Sequence, residues 1–600
     1  MCGIIGYVGS DPMPAEDVLL AGLERLEYRG YDSAGLAVAD SALEVYKRAG
    51  ELSALEEAVP TDDVAGPAGI GHTRWSTHGP PTDENAHPHT DCEGRVAVVH
   101  NGIVTNAEEL RADLLESGHV FESDTDTEVI PHLIEASLER GLDPEAAFER
   151  AIEHIDGSYA VAATIAGSDA VYATRRHSPL VLGLDGETTY LASDVPAFLE
   201  HTDRVIYLED EQFVRLTPSE VVIRDDDGSV VEPSVETVEW DPEDVGKSGY
   251  DHYMLKEIYE QPQAVRQATR GRVSELDGSI ELSAVPESIR REAERVQFVG
   301  CGTSYYAMSY AASLFRERGI PAAAFVASEY ETERVPITED TIVIGVTQSG
   351  ETADTLSALR DANGAGATTL AVTNVVGSSA ARECDAAVYI RAGPEISVAA
   401  TKSFASQLAT LSMIASVLAD GIERPFLEAI RDLPAQIQRV LDHSNAREVA
   451  EEMVDSDAYF FVGRQYQHPV ALEGALKMKE ITYEHAEGFP AGELKHGPLA
   501  LVTERTPVVA LLTGTDAVVE KTLGNVKEVE ARGAPVVAVT DDPDGVDHVA
   551  DHVLEVPDTH RYLEPVLTNV QLQLLAYWTA NLLDRPIDKP RNLAKSVTVE

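Results

Sequence analysis

A cysteine stands at position 2, directly behind the initiator methionine. Removal of Met1, favoured by the small second residue, would leave a thiol and a free α-amine on one residue. That pairing supplies nucleophile and base together, because an amine of near-neutral pKa is well suited to take the thiol's proton. Cys2 reads equally as an early residue of a buried strand, since free cysteine packs as a small hydrophobe. Asn101-Gly102 ends the apolar run Val96–His100. A side-chain amide and an unencumbered backbone N–H suit a developing oxyanion, and the same dipeptide suits a tight turn. Arg74 offers a planar fork for a carboxylate, and Asp126 a partner for an ammonium. Taken singly, either is a solvated charge.

Two turns in the second half have the composition of anion sites. Gly300-Cys301-Gly302-Thr303-Ser304 follows the strand-like run Val296–Val299 and precedes a helical pattern over Tyr305–Arg318. Thr347-Gln348-Ser349-Gly350-Glu351-Thr352 follows Thr341–Val346 and opens a helix over Ala353–Ala362. Backbone N–H groups and the helix dipole favour an anion at such places, although Ser and Thr are also good N-caps. Neither turn carries the lysine of a P-loop, so a monophosphate fits and a nucleoside triphosphate does not. Glu473, Lys477 and Glu480 fall at i, i+4 and i+7 on one helix face, with Leu472, Ala475 and Leu476 predicted to face the core. Such spacing is commonly a surface ion-pair ladder. Lys595 lies in the polar tail RNLAKSVTVE, where a lysine is ordinarily solvated. His72, His78, His87, His89 and His100, with Cys92 nearby, fit neither a CxxC nor an HExxH spacing, so no metal is expected.

These residues need elements to hold them. Positions 1 to about 240 contain short β-type runs (Gly3–Val8, Ala34–Val38, Gly69–His72, Val96–His100, Tyr159–Ile165, Val171–Ala173) with helical patterns at Val18–Leu26 and Thr127–Leu138. The mixture predicts an α+β domain of packed sheets. Val238–Tyr250, with Pro, two Gly and several acids, reads as a linker. From about 285 the rhythm becomes strand, Gly-rich turn, helix, and it repeats. Gln297–Gly300 recurs as Phe460–Gly463, Thr341–Val346 as Thr506–Leu511 and Leu370–Asn374 as Val537–Asp541, at offsets of 163, 165 and 167 residues. A whole domain is duplicated, and Val- and Ile-rich runs between helices predict parallel sheets covered on both faces.

Six hundred residues exceed one hydrophobic core, so several domains are expected. Hydrophobic content of 44 % with no membrane-length apolar run, no signal sequence and four scattered cysteines predicts a cytoplasmic protein with free thiols. The net charge of −57 excludes nucleic acid and anionic membranes as partners, since phosphates need a positive footprint. It fits a surface suited to concentrated salt, where screening removes self-repulsion.

MCGIIGYVG, LEYRGYDSAGLAV, GHTRWSTHG, NAHPH, VVHNGIVTN and SDTDTEVI follow one another between positions 1 and 130. Together they resemble the class II glutamine amidotransferase domain, an N-terminal-nucleophile (Ntn) hydrolase fold. VGCGTS, TQSGETADTL, EGALKMKEITYEHAEGFPAGELKHGPLALV and RNLAKSVTVE resemble the isomerase half of the glutamine–fructose-6-phosphate aminotransferase family. The resemblance implies an amidotransferase domain at 2–240, a linker at 241–250, two doubly wound α/β sugar isomerase (SIS) domains at 285–425 and 450–590, and a catalytic tail at 591–600.

The resemblance also assigns roles. Cys2 attacks the amide of glutamine, with Asn101 and Gly102 as the oxyanion hole. Arg74 binds the α-carboxylate and Asp126 the α-ammonium, with Trp75, Thr77, His78 and His87 around them and Trp75 gating an ammonia passage. Thr303, Ser304, Thr347, Gln348, Ser349 and Thr352 hold the sugar phosphate, with Thr at 347 where better-known bacterial members have Ser. Glu480 moves a proton between sugar carbons 1 and 2, Lys595 forms a Schiff base at C2 with Lys477 assisting, and His496 of a neighbouring subunit opens the ring. Glutamine and fructose 6-phosphate as substrates, no cofactor or metal, and a homodimer follow from it. Another class II amidotransferase, of the phosphoribosyl-pyrophosphate type, lacks the duplicated half. A sugar-phosphate-binding regulator has no use for Cys2, Glu480 and Lys595 together.

Overall fold

The computed structural model describes residues 2–597 except Ala15, 61–63, Thr77, Glu187, 239–246, 275–278, 287–288, 291–293, Glu339 and 420–422. The chain divides into two compact units, Met1–Val245 with Ala594–Glu600, and Gly246–Leu593.

The first unit is built on two antiparallel sheets. One has eight strands, in the order Glu236–Thr237, Arg204–Tyr207, Val181–Leu184, Thr188–Ala192, β1 (Gly3–Pro14), β2 (Ala65–Arg74), Ser33–Ala39 and Leu43–Ala49. The other has six: Glu220–Arg224, Phe213–Thr217, Val171–Arg176, β4 (Gly157–Ile165), β3 (Val96–Val104) and His89–Thr90. Strand periodicity sorts the side chains. In β3, Ala97 and Val99 point into a core shared with Ile4, Ala68 and Ile70 of the other sheet. Val96 and Val98 point the other way, onto Ile130, Ile134 and Phe148. Those residues come from the helices α2 (Val129–Glu139) and Pro144–Ile152, which with α1 (Ala107–Glu116) cover that face. Helix Ala21–Leu26 packs on the outer face of the large sheet through Leu23 against Ile5 and Gly71. The result is a layered sandwich, as the short alternating runs predict.

The second unit contains the duplication as two five-stranded parallel sheets of identical order. The first runs Ala322–Val326, β5 (Arg295–Gly300), β6 (Thr341–Thr347), Thr368–Thr373, Ala386–Tyr389. The second runs Ala486–Pro490, β7 (Tyr459–Gly463), Val508–Leu512, Val536–Thr540, His552–Glu555. The three sequence matches are the first, third and fourth strands of each copy, taken in chain order. Both copies share one core: Phe298 and Ile344 of the first sheet and Phe461 and Leu511 of the second belong to a single cluster. The helices Lys402–Leu418, Arg424–His443 and α6 (Glu564–Leu582) complete that cluster. Each β-turn-helix crossover places its turn at the carboxyl end of a strand, where ligands of such sheets bind. The linker expected at 241–250 lies largely outside the described residues.

Candidate functional sites

In the first unit, Cys2 and β2 meet because β1 and β2 pair in antiparallel register, Gly3 opposite Thr73. The Trp75 N–H donates to Cys2 Sγ at 3.2 Å. Burial pushes the Cys2 thiol up, and the Trp75 N–H and Arg74 pull it back. Asn101 Nδ2 donates to the Cys2 carbonyl at 2.9 Å, which ties the amide to the backbone of the residue that bears the sulfur. The Asn101-Gly102 reading needs one correction: the pair does not end the strand. β3 runs on to Val104, with Asn101 opposite Ala160 and Gly102 opposite Tyr159. Gly102 has φ +134°, and a Cβ there would lie 1.9 Å from the Ser158 carbonyl oxygen. Glycine is demanded by a close strand approach rather than by a turn.

His72 has no role in the sequence reading, yet it orients Asn101. Its Nε2 lies 3.0 Å from Asn101 Oδ1 and 3.0 Å from the His100 carbonyl oxygen. Both partners are acceptors, so Nε2 carries the proton, and the amide's NH₂ is turned toward Cys2. Burial holds the His72 pKa down to about 3, which keeps the ring neutral. Its position two residues before Arg74 on β2 is a usable signal. His87 stacks on His72 with centroids 4.1 Å apart and contacts the Thr127 hydroxyl at 3.0 Å, which also meets His100 Nδ1 at 2.8 Å.

Asp126 accepts from the Val104 N–H at 2.7 Å, and its other oxygen lies 4.0 Å from His78 Nδ1. The flanking segment is held by Glu128, which accepts from the backbone N–H groups of Glu122 and Ser123 and from the Ser123 hydroxyl. Arg74 donates to the carbonyl oxygens of His78, Gly79 and Pro80. Trp75 packs edge-on against Tyr31 at 5.5 Å. Thr77 lies outside the described residues.

In the second unit, Thr303 and Ser304 open helix α3 (Gly302–Glu317) at the end of β5, and Ser304 accepts from Gln407 Nε2 at 3.0 Å. On the neighbouring strand β6, Thr347 Oγ1 accepts from the Gly350 N–H at 3.2 Å and meets Thr352 Oγ1 at 3.1 Å. Ser349 Oγ accepts from the Glu351 N–H at 3.1 Å, and Gln348 gives its carbonyl to the Asn374 N–H. Thr352 is the N-cap of α4 (Ala353–Gly364), but its hydroxyl does not cap the helix. Plain capping therefore does not account for it.

Helix α5 (Gln467–Thr482) corrects the second expectation. Glu473 and Lys477 are not a surface ladder, being 0 % and 1 % exposed; Ala475 is buried as expected, while Leu472 and Leu476 are only half-buried. The helix packs against β7, the strand Ala486–Pro490, α6 and α3, so several faces are covered and no simple apolar stripe marks the core side. Lys477 Nζ lies 2.6 Å from Glu480 Oε2, 3.4 Å from Glu473 Oε1 and 3.2 Å from Thr303 Oγ1. Thr303 also donates to Glu473 at 3.1 Å. Burial works against the Lys477 charge, but the two carboxylates outweigh it and keep the ammonium. One cation cannot neutralise both, and burial pushes Glu473 up to about 8. Loop residues from the first copy and helix residues from the second thus form one cluster. His496 is exposed at the end of the 3₁₀ segment Ala491–His496, and Lys595 is partly exposed in the tail grouped with the first unit.

A layered sandwich with a cysteine at the start of an interior strand, followed by duplicated doubly wound sheets, fits a glutamine amidotransferase domain ahead of two SIS domains. The glutamine amidotransferase domain family matches residues 72–200, and the SIS domain family matches 289–417 and 452–583. The chain is 52 % identical to the glutamine–fructose-6-phosphate aminotransferase (isomerizing) of Halobacterium salinarum and 46 % identical to that of Thermus thermophilus, over the full length of each chain. The C-terminal domain of the Francisella tularensis glucosamine-fructose-6-phosphate aminotransferase superposes with a TM-score of 0.55 at 36 % identity, covering 57 % of this chain and all of that one. The chain belongs to the glutamine–fructose-6-phosphate aminotransferase (isomerizing) family. Among the described residues no helix is long and apolar enough to cross a membrane.

Proposed function

We propose that the protein converts L-glutamine and D-fructose 6-phosphate to L-glutamate and D-glucosamine 6-phosphate, the entry reaction of hexosamine synthesis. The observation that carries this reading is full-length identity of 52 % to a relative so named, with Cys2, Trp75 and Asn101 together in one unit and Thr303, Glu473, Lys477 and Glu480 together in the other. The Cys2 thiolate adds to the glutamine amide carbon, its proton passing to the Cys2 amine once Met1 is removed. Asn101 Nδ2 and the Gly102 N–H receive the oxyanion. The Cys2 ammonium then returns that proton to the amide nitrogen, collapse expels ammonia and leaves a thioester, and water hydrolyses the thioester to glutamate. Arg74 and Asp126 bind the ends of the amino acid, with Trp75, Thr77, His78 and His87 alongside.

In the sugar half, the phosphate sits on Thr303, Ser304, Thr347, Gln348, Ser349 and Thr352 at the helix N-termini. His496 of a partner subunit opens the ring, which makes the working unit a homodimer. Lys595 condenses with the C2 carbonyl and releases water. Ammonia then replaces the lysine at C2, and Glu480 takes a proton from C1 and returns one to C2. Ammonia stays out of bulk water between the two reactions, and the protein works in the cytoplasm. We place the domains at 2–240, 285–425 and 450–590, with the linker at 241–250 and the catalytic tail at 591–600.

The test is incubation with both substrates and detection of hexosamine phosphate by mass. Cys2→Ala should abolish glutamine hydrolysis while sugar binding persists; Lys595→Ala should abolish amination. Full glutamine-dependent activity in Cys2→Ala would mean that another nucleophile does the work. Ammonium salts serving as well as glutamine in the intact enzyme would remove the case for confined ammonia.

A further inference from the structure

Away from the amide-cleaving cysteine, the first unit gathers Cys92, His119, His132 and Glu135, whose donor atoms all lie within 4.8 Å of one another. They come from three places: Cys92 from the turn before β3, His119 from the loop leaving α1, and His132 with Glu135 from one face of α2. Sequence separations of 27, 13 and 3 residues match no short metal motif, so only the fold makes the cluster visible. His132 is 1 % exposed and Glu135 2 %, whereas Cys92 is exposed and leaves a path from solvent.

The donor separations bracket those of a coordination sphere, the carboxylate–imidazole pairs standing closer and the thiol–imidazole pairs slightly farther apart. Cys92 Sγ lies 3.6 Å from His132 Nδ1 and 3.8 Å from His119 Nδ1. Glu135 Oε2 lies 2.8 Å from His119 Nδ1 and 3.2 Å from His132 Nδ1. A tetrahedral ion with bonds of about 2.3 Å to sulfur and about 2.0 Å to nitrogen or oxygen sets its ligands roughly 3.3–3.6 Å apart. Both imidazoles bring Nδ1 close to the same thiol and the same carboxylate oxygen, so the four donors face one another in one small cluster. The surroundings also suit a bound thiolate and imidazole. The Val120 N–H donates to Cys92 Sγ at 3.4 Å, and Glu128 stands 3.9 Å from the far nitrogen of His132. Arg95 approaches the outer oxygen of Glu135 at 3.7 Å.

The geometry points to a structural zinc site with Cys92, His119, His132 and Glu135 as ligands. Thiolate with two imidazoles selects a borderline ion such as Zn²⁺ over magnesium or calcium, and four protein ligands leave no position for a reacting water. The ligands clamp both ends of the segment between His119 and His132. That segment carries Ser123, Asp126, Thr127 and Glu128, so the ion would fix the piece of chain that presents Asp126.

The whole chain, purified with zinc and dialysed against metal-free buffer, should retain one zinc per chain by elemental analysis. Cobalt-loaded protein should show a thiolate-to-cobalt charge-transfer band and tetrahedral d–d bands. Cys92→Ser should lose the charge-transfer band and His132→Gln should lose the bound metal, while Cys384→Ser keeps both. Stripping the wild type with a chelator should lower its melting temperature, and added zinc should restore it. Less than a tenth of a zinc per chain in the wild type, or an unchanged cobalt spectrum in Cys92→Ser, overturns the proposal. The wild-type measurement decides even if the variants do not fold.

Discussion

His72 is a buried neutral ring that fixes the side-chain amide of Asn101. In the proposed reaction Asn101 is an oxyanion donor, a contribution worth about 10²–10³ in rate, and His72 holds the oxygen of that amide. Asn101→Ala should therefore lower kcat for glutamine hydrolysis by about 10²–10³. His72→Ala, which leaves the donor but frees its orientation, should cost a part of that, about tenfold. Glutaminase assays measure both, and wild-type turnover in His72→Ala would show that the amide needs no such brace. Gly102 is constrained by space and not only by chemistry. Gly102→Ala forces a Cβ against the Ser158 carbonyl at a left-handed φ, a loss of about 3 kcal/mol. Denaturant midpoints check this; a shift equivalent to less than about 0.5 kcal/mol would mean that the strand pair relaxes freely.

Helix α5 is the element that joins the two copies. Its buried Lys477 sits between Glu480 and Glu473 and also reaches Thr303 at the head of α3. Removing one partner of a buried ionic cluster is far costlier than replacing the cluster. Lys477→Ala should thus lower stability by about 3–5 kcal/mol, since it leaves the Glu480 carboxylate without its cation. Glu473→Gln should cost much less, because burial already favours the neutral form of that side chain. Melting temperatures of the two variants give the comparison. Equal losses would show that Lys477 acts through packing alone.

At the scale of the molecule, two charge effects act in different directions of solution space. The net charge of −57 repels itself at low ionic strength, so the melting temperature should rise as salt is added, over a range where the Debye length falls from about 30 Å to about 3 Å. Full stability at low salt would remove the salt-adapted reading. Acid acts on the histidines of the first unit. His72, His87, His89 and His100 are buried, and burial is the main cause that holds each below the ordinary imidazole value. The unfolded chain takes protons on these rings below about pH 6.5 while the folded chain does not, so stability falls as pH drops from there toward the His72 value of about 3. His72 adds a slope of at most about 1.4 kcal/mol per pH unit in that window, and the other three rings act in the same direction. Denaturant midpoints from about pH 7 to about pH 5 should decline steeply. A flat profile would contradict neutral buried rings.

Residue types in their order were enough to point to the family and the duplicated half. Cys2 behind Met1, the hydroxyl-rich turns after Val299 and Val346, and the repeat at 163–167 residues are local or periodic facts, and strands and helices formed where those patterns lay. What only the tertiary structure decided depends on contacts between distant segments. The extension of β3 through Asn101-Gly102 follows from pairing with β4, the burial of Glu473 and Lys477 from helices packed around α5, and the meeting of Cys92 with His119, His132 and Glu135 from a hairpin laid against two helices. Local sequence carries propensity and period, and neither records which surface will be covered by another part of the chain.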